Sequence, residues 1–266
     1  MKKRLLNKTA NNFSLAELNT FDLEANTGAI QNYRGLMVSP SGNILIAQSY
    51  AGLEQFNRFV FDTPNDLNSN FTFVDDGKWN NTPYTVGATK DGVYGINFDL
   101  GRTIHLKTLG ANYDFKNATN HVTYTPAVKF SDAALYHRCF EWSTDNRTMY
   151  ILPIQPLNQL HVYTMPNAVD IQNMVLSTTY NFPAEIGATV VAFSFVKNGD
   201  AILLATGTGK LFLFNLSTKY VLSSYNNSNY KELPIIDDLY TFSITADESY
   251  LYALKNQTIH QYQLKI

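Results

Sequence analysis

The sequence contains a single cysteine, Cys139, so no disulfide can form within the chain. Charged residues are also scarce, at 16% of the sequence, against roughly a quarter in typical soluble domains. The net charge of −2 predicts no attraction to nucleic acid or to an anionic membrane. No apolar run approaches the roughly 18 residues that span a bilayer, and none follows the basic start MKKRLLNK as a signal peptide requires. We therefore expect no nucleic-acid partner, no membrane insertion and no secretion.

Asparagine and aromatic residues take the place of the missing charges. The chain has 28 Asn, 17 Tyr and 17 Phe among its 266 residues. Asparagine favours turns because it tolerates positive φ, whereas Tyr, Phe and Thr favour strands. The composition therefore predicts an all-β protein with many strands and tight turns.

A repeat of about 50 residues runs through the sequence. Five segments share two apolar strands joined by a polar turn: LMVSPSGNILIAQ (36–48), VGATKDGVYGINF (86–98), FEWSTDNRTMYIL (140–152), FSFVKNGDAILLA (193–205) and FSITADESYLYAL (242–254). A third strand follows each of them, at 55–61, 102–109, 159–165, 210–216 and 258–264. A fourth is predicted at 71–76, within 121–130, at 174–180 and at 220–225. Four-stranded antiparallel units at this period are typical of β-propeller blades.

The turns of the five segments carry a resemblance to a known family. SPSG, TKDG, STDN, KNG and TADE resemble the SPDG turn of WD40-like and YVTN-type β-propeller repeat proteins. The resemblance covers residues 36 to 264, although the Trp-Asp and Gly-His dipeptides of true WD40 blades are absent. It implies a propeller fold rather than a particular activity.

The predicted architecture is a five-bladed β-propeller forming a single domain over residues 1–266. The predicted blades cover about 33–80, 81–132, 133–182, 183–230 and 231–266. The last of them lacks a fourth strand, while the strand-like segment 12–26 precedes the first repeat. We expect this N-terminal segment to supply the missing strand, which closes the ring and leaves no open edge.

The first strands of the repeats predict the packing near the central axis. The side chains at one set of alternating positions are mostly large and are expected to pack between blades: Leu36, Val86, Phe140, Phe193, Phe242, then Val38, Ala88, Trp142, Phe195, Ile244. The other is mostly small and is expected to face a narrow bore: Gly35, Thr85, Cys139, Ala192, Thr241, then Met37, Gly87, Glu141, Ser194, Ser243.

No sequence motif for catalysis is present. ATGTGKLF (205–212) lacks the first glycine and the Ser/Thr of a phosphate-binding loop, so we interpret it as a hairpin turn. His105, His161 and His260 occupy the same place in three third strands, in separate blades, and are interpreted as a repeated structural position.

Four carboxylates are the candidates for a metal site. Glu141 is placed on the bore, and Glu185, Asp237 and Asp238 in the loops that enter blades four and five. Calcium-dependent propeller lactonases gather carboxylates and asparagines at one mouth of the channel, and this resemblance implies calcium as a possible cofactor here. A solvated acidic rim is the alternative, since calcium takes six to eight oxygen ligands.

Two aromatic segments are the candidates for a binding surface. Trp79 and Tyr84 lie in DDGKWNNTPY (75–84), and Tyr225 and Tyr230 in YNNSNY (225–230), both interpreted as loops between blades. Tyr and Trp beside Asn suit stacking on a sugar or contact with a partner protein. Ordinary loop filling is the alternative.

The leading functional hypothesis is a non-enzymatic binding or assembly module. Its low charge and Asn/Tyr/Thr-rich strands are similar to those of phage and viral structural proteins, which favours a virion-associated tail, adhesion or capsid-decorating component. Its partners would be other structural proteins of the assembly or a surface glycan. The alternatives are a divalent-cation-dependent hydrolase of the lactonase or glycosidase kind and a cytoplasmic protein–protein interaction scaffold.

Overall fold

The computed structural model describes residues 13–28, 32–50, 56–77, 83–89, 91–99, 103–111, 113–125, 137–153 and 158–266. Their strands form five antiparallel sheets of four strands each. The sheets are the blades of a five-bladed β-propeller, which confirms the predicted fold class.

Each blade is built from consecutive strands, except that the last one borrows a strand from the N-terminus. The first described elements are strand β1 (Ser14–Asp22) and helix α1 (Leu23–Thr27). Blade 1 contains β2 (Asn32–Val38), β3 (Ile44–Tyr50), β4 (Phe56–Phe61) and β5 (Phe71–Gly77). Blade 2 contains β6 (Pro83–Ala88), β7 (Tyr94–Asp99), β8 (Ile104–Gly110) and β9 (Asp114–Tyr124).

The remaining blades repeat this order. Blade 3 contains β10 (His137–Trp142), β11 (Thr148–Pro153), β12 (Gln159–Thr164) and β13 (Val175–Asn181). Blade 4 contains β14 (Val190–Val196), β15 (Ala201–Thr206), β16 (Lys210–Leu216) and β17 (Tyr225–Pro234). Blade 5 contains β18 (Thr241–Ile244), β19 (Tyr250–Lys255), β20 (Thr258–Lys265) and, outermost, β1. Short 3-10 helices span Ile171–Asn173, Ala184–Ile186, Lys197–Gly199 and Leu222–Ser224.

The N-terminal strand closes the ring, as the sequence predicts. Strand β1 pairs antiparallel with β20 along its length, from Ser14 opposite Lys265 to Asp22 opposite Thr258. The main-chain groups along that side of β20 are therefore paired within blade 5 instead of forming an open edge.

Helix α1 and the end of β1 fasten this closing strand to blade 1. The Asp22 side chain caps the helix by accepting a hydrogen bond from the N–H of Ala25, and Gly28 ends it in the left-handed conformation. Leu23 is fully buried. Phe21 packs edge-on against Phe59, with ring centroids 5.1 Å apart.

The core lies between the blades. Buried apolar side chains form five clusters, and each draws its members from two adjacent blades. The cluster between blades 5 and 1, for example, joins Tyr252 and Ile259 to Leu36 and Val38. Full burial of one such side chain stabilises the fold by roughly 1.5–3 kcal/mol. Each blade thus depends on its neighbours for its core.

Two of the predicted fourth strands differ from those observed. In blade 2 the strand runs from Asp114 to Tyr124, mostly before the predicted 121–130. In blade 4 residues 220–224 form a turn and a 3-10 helix, and the strand begins only at Tyr225. Strand β9 is polar and exposed along much of its length, and polar residues occupy most positions of β17, so both lack the apolar alternation on which the prediction depended.

Candidate functional site

A cavity of about 440 Å³ follows the axis of the ring and is the candidate binding site. The innermost strand of every blade contributes to its wall. Five structurally equivalent lining residues are Met37, Gly87, Glu141, Ser194 and Ser243. Residues of the turns after these strands line the cavity too, among them Pro40, Thr89, Thr144, Asn198 and Glu248. The cavity therefore extends to the face formed by the turns between first and second strands, which we call the turn face.

A hydrogen-bond motif shapes the turns around this face. In blade 3 the hydroxyl of Ser143 donates to Asp145 at 2.6 Å, and the same aspartate accepts from the N–H of Arg147. Blade 5 repeats the motif with Thr245 and Asp247, at 2.6 Å. The serine or threonine oxygen also accepts an N–H from the strand that follows. This network explains physically why the turn sequences resemble one another.

The turn aspartates make the folding stability of the protein fall at low pH. The hydrogen bonds from Ser143 and Thr245 lower the pKa of Asp145 and Asp247 below the ordinary value of 3.8. A lowered pKa in the folded state stabilises the fold above the unfolded-state value, and this contribution is lost as the pH falls through the folded-state value. We expect the melting temperature to fall below about pH 4, and to fall less steeply in Asp145→Asn. Identical pH profiles of the variant and the parent, measured by thermal denaturation, would contradict this.

Side chains of one blade bind the main chain of a neighbouring blade along the cavity wall. A Glu141 carboxylate oxygen accepts from the N–H of Phe195 at 2.8 Å, and the hydroxyl oxygen of Ser243 accepts from the N–H of Val38 at 3.0 Å. At the turn face, Glu248 accepts from the N–H of Lys197 at 2.7 Å. These contacts satisfy main-chain donors that the inner edge of a sheet leaves unpaired, and they fix neighbouring blades together.

The single thiol belongs to the same wall. Cys139 donates a hydrogen bond to the main-chain oxygen of Phe193 at 3.5 Å, and burial raises the pKa of the thiol to about 12. The thiolate is the reactive form of cysteine. We therefore expect negligible labelling of the native protein by a thiol reagent at pH 8, and one thiol per chain labelled after denaturation. Rapid labelling of the native protein would show that the thiol is accessible.

The predicted orientation of the first strands is half right. The large register packs between blades, as Leu36 and Val38 show in their cluster with blade 5. The small register does not simply face a bore. A Cβ built on Gly87 would lie 2.4 Å from the ring of Phe140 in blade 3. The innermost strand presents its edge to the axis, and both faces of its sheet pack against neighbouring blades, so small residues make room for large ones of the next blade.

The aromatic binding candidates are placed differently from the prediction. Tyr225 and Tyr230 do not lie in a loop between blades but in the outer strand β17. Both are half-buried and pack on Phe214, with ring centroids 5.7 and 5.3 Å away. The irregular pairing of β17 with β16 explains why a loop was predicted here, because the four residues 226–229 stand opposite a single residue of β16. Tyr84 lies in strand β6, and Trp79 is outside the described residues.

The carboxylate candidates for a metal site are spread over the molecule. Glu185, Asp237 and Asp238 are exposed on the face opposite the turn face, where Asp237 pairs with Lys255 at 2.6 Å. Glu141 lies in the cavity wall. Among the residues with described positions, no group of three or more His, Cys, Asp or Glu side chains could hold a metal ion. The hydrolase hypothesis therefore gains no support from this geometry.

The three equivalent histidines are also separate. The Nδ1 atom of His105 lies 2.8 Å from Nε2 of His121 within blade 2, and His260 pairs with Glu17 at 2.7 Å within blade 5. His161 is buried in blade 3. Each occupies the repeated position in its own blade, facing the blade before it.

Sequence comparisons find no relatives for this chain: no model of a protein family matches it, and no curated protein does. Solved structures do match. A chain of the crystal structure of a mitotic checkpoint complex aligns with a TM-score of 0.53 and 10% identity, covering all of this chain and 96% of the other. At that identity the similarity shows the fold alone, which is a WD40-like β-propeller. Within the described part of the chain, no helix is long and apolar enough to cross a membrane.

Proposed function

We propose that this protein is a non-enzymatic binding module that holds partner proteins on the faces of its propeller. The fold supports a role in protein interaction. The observation that carries the proposal is the axial cavity on the turn face, to which all five blades contribute. Its polar side chains secure the ring instead of forming a catalytic group, since Glu141 and Ser243 bind main-chain N–H groups of the next blade.

The setting that we propose is a virion, in which the protein serves as a tail, adhesion or capsid-decorating component. Composition supports this setting, with 16% charged residues and 28 asparagines in a closed β fold. A ring whose blades share their cores is rigid, and a rigid disc with two faces suits repeated attachment to other structural proteins. A surface glycan is the second kind of partner that this setting suggests.

Capture of the tagged protein from the source that produces it tests the proposal. We expect cross-linking and mass spectrometry to recover the same proteins in constant ratio, and purified particles to contain the protein in fixed copy number. Cross-links should map to residues of the turn face or of the opposite face. Recovery of the protein alone, with turnover of ester or glycoside substrates, would contradict a binding role. Partners recovered only from particle-free cell extract would instead favour a cytoplasmic scaffold.

A further inference from the structure

The axial cavity has features that identify the chemistry of what it binds. We propose that it receives a basic side chain, lysine or arginine, carried by a segment of a partner protein that docks on the turn face. This inference rests on the proposed binding function and specifies its ligand.

The size and walls of the cavity suit such a side chain. Its volume of about 440 Å³ lies within the range of sites that enclose small ligands, about 300–1,000 Å³. Aromatic residues form much of the lining: Tyr113, Phe140, Trp142, Phe193, Phe195, Tyr220 and Phe242. Aromatic faces attract ammonium and guanidinium groups, and they cover the apolar stem of a long basic side chain.

The charge inside the cavity is negative. Glu141 and Glu248 line it, and its described lining contains no Lys, Arg or His. Burial and, after it, the charge of Glu141 raise the pKa of Tyr150. One carboxylate oxygen of Glu248 accepts from Lys197, and no described residue engages the other. A cation entering from the turn face therefore meets an available acceptor at the mouth.

The surface around the mouth has the same sign. In antiparallel blades the turns between third and fourth strands lie on the same side as the turn face, and the described turns of both kinds carry eight acidic residues: Asp62, Asp66, Asp91, Asp145, Asp170, Asp200, Asp247 and Glu248. They carry three basic residues: Arg147, Lys197 and Lys219. An excess of negative charge around a concave site steers a basic partner toward it.

The cavity wall also holds an unused donor. The indole N–H of Trp142 is buried, with no acceptor among the described residues. A buried donor without an acceptor is unfavourable.

Tryptophan fluorescence provides the test. The chain has two tryptophans, so Trp79→Phe leaves Trp142 as the only reporter, in the cavity wall. We expect a saturable fluorescence change with the heptapeptide Ac-GGGRGGG-NH2 or its lysine counterpart, and none with the citrulline counterpart, which has nearly the shape of arginine without its charge. Binding should weaken as salt is raised. Equal responses to the arginine and citrulline peptides, or no response to either basic peptide, would overturn the inference.

A pair of matched variants localises the binding. Glu248→Gln keeps an acceptor for the Lys197 N–H but removes the charge, and should weaken binding of the basic peptides by about threefold to tenfold. Asp238→Asn removes a carboxylate on the opposite face and should leave binding unchanged. Equal affinity in Glu248→Gln and the parent, at equal melting temperature, would also overturn the inference. If partner proteins were still captured in that case, the proposed function would stand and only the inference about the ligand would fail. The proposed function itself fails if no partner protein is captured.

Discussion

Removal of residues 1–28 is expected to convert the protein from a monodisperse species into an aggregating one. The deletion takes away strand β1 and exposes the main-chain edge of β20 along its length. It also removes Phe21 and Leu23, which are buried against blade 1. An unpaired, apolar strand edge is a template for association with other chains. Loss of Phe21 alone, in Phe21→Ala, should destabilise the fold by about 3–5 kcal/mol.

Two control proteins separate loss of closure from general damage. Deletion of residues 1–12 retains β1 and its pairing with β20, and should leave the protein monodisperse. A circular permutant that begins at residue 29 and joins Ile266 to Phe13 through a short linker should also fold, because Ser14 pairs with Lys265 and hairpin loops need only about 2–5 residues. Light scattering and thermal denaturation report both properties. A 1–28 deletion as monodisperse and heat-stable as the full chain would show that blade 5 does not need its borrowed strand.

The repeat and the closure of the ring could be predicted from sequence because local chemistry specifies them. Several turns have their own hydrogen-bond network, as Ser143 and Asp145 show, and each turn stands between two strands with apolar alternation. The missing strand in the fifth repeat then required a partner, and the segment that became β1 was the strand-like stretch left over at the other end of the chain.

The outer strands were harder to predict because solvent, not a core, faces much of their surface. Polar residues occupy most positions of β9 and β17, and the pairing partner lies in the preceding strand. At 226–229 four residues stand opposite one on the partner strand, and this irregular pairing places two tyrosines in a strand where a loop was expected. Pairing register is a property of two strands together, and a single segment does not contain it.

In the axial cavity, too, residues fixed by the local repeat could be predicted, whereas contacts between blades could not. Glu141 could be placed near the axis because its position in the repeat is fixed by alternation. Glu248 could not be linked to the cavity, because its contact with Lys197 joins turns of different blades that are far apart in sequence. The one signal in the sequence was the position of Glu248 in the repeat, at the turn position that Gly42 and Gly92 occupy in other blades, and all three residues have positive φ in the structure.

The second large effect is expected at Gly87. A Cβ at this position would lie 2.4 Å from Cζ of Phe140 and 2.9 Å from its Cε2. The ring of Phe140 also packs on Phe98, with centroids 5.1 Å apart, so it must shift away from this contact to admit the methyl group. Gly87→Ala should therefore destabilise the fold by roughly 1–3 kcal/mol through overpacking. The free energy of unfolding from denaturant titration is the measurement.

Gly207→Ala is the matched control, because a Cβ there would meet Val191 at an ordinary 3.5 Å. This change should be neutral or slightly stabilising, since alanine restricts the unfolded chain more than glycine does. Combining Gly87→Ala with Phe140→Leu should recover part of the loss, with a coupling of about 0.5–3 kcal/mol, because the smaller side chain vacates the space that the new methyl group needs. Additive effects would place the damage elsewhere than in the contact between blades 2 and 3. Positive coupling would establish that small residues on one blade exist to receive large residues of the next, which is the rule by which the five blades close around the cavity.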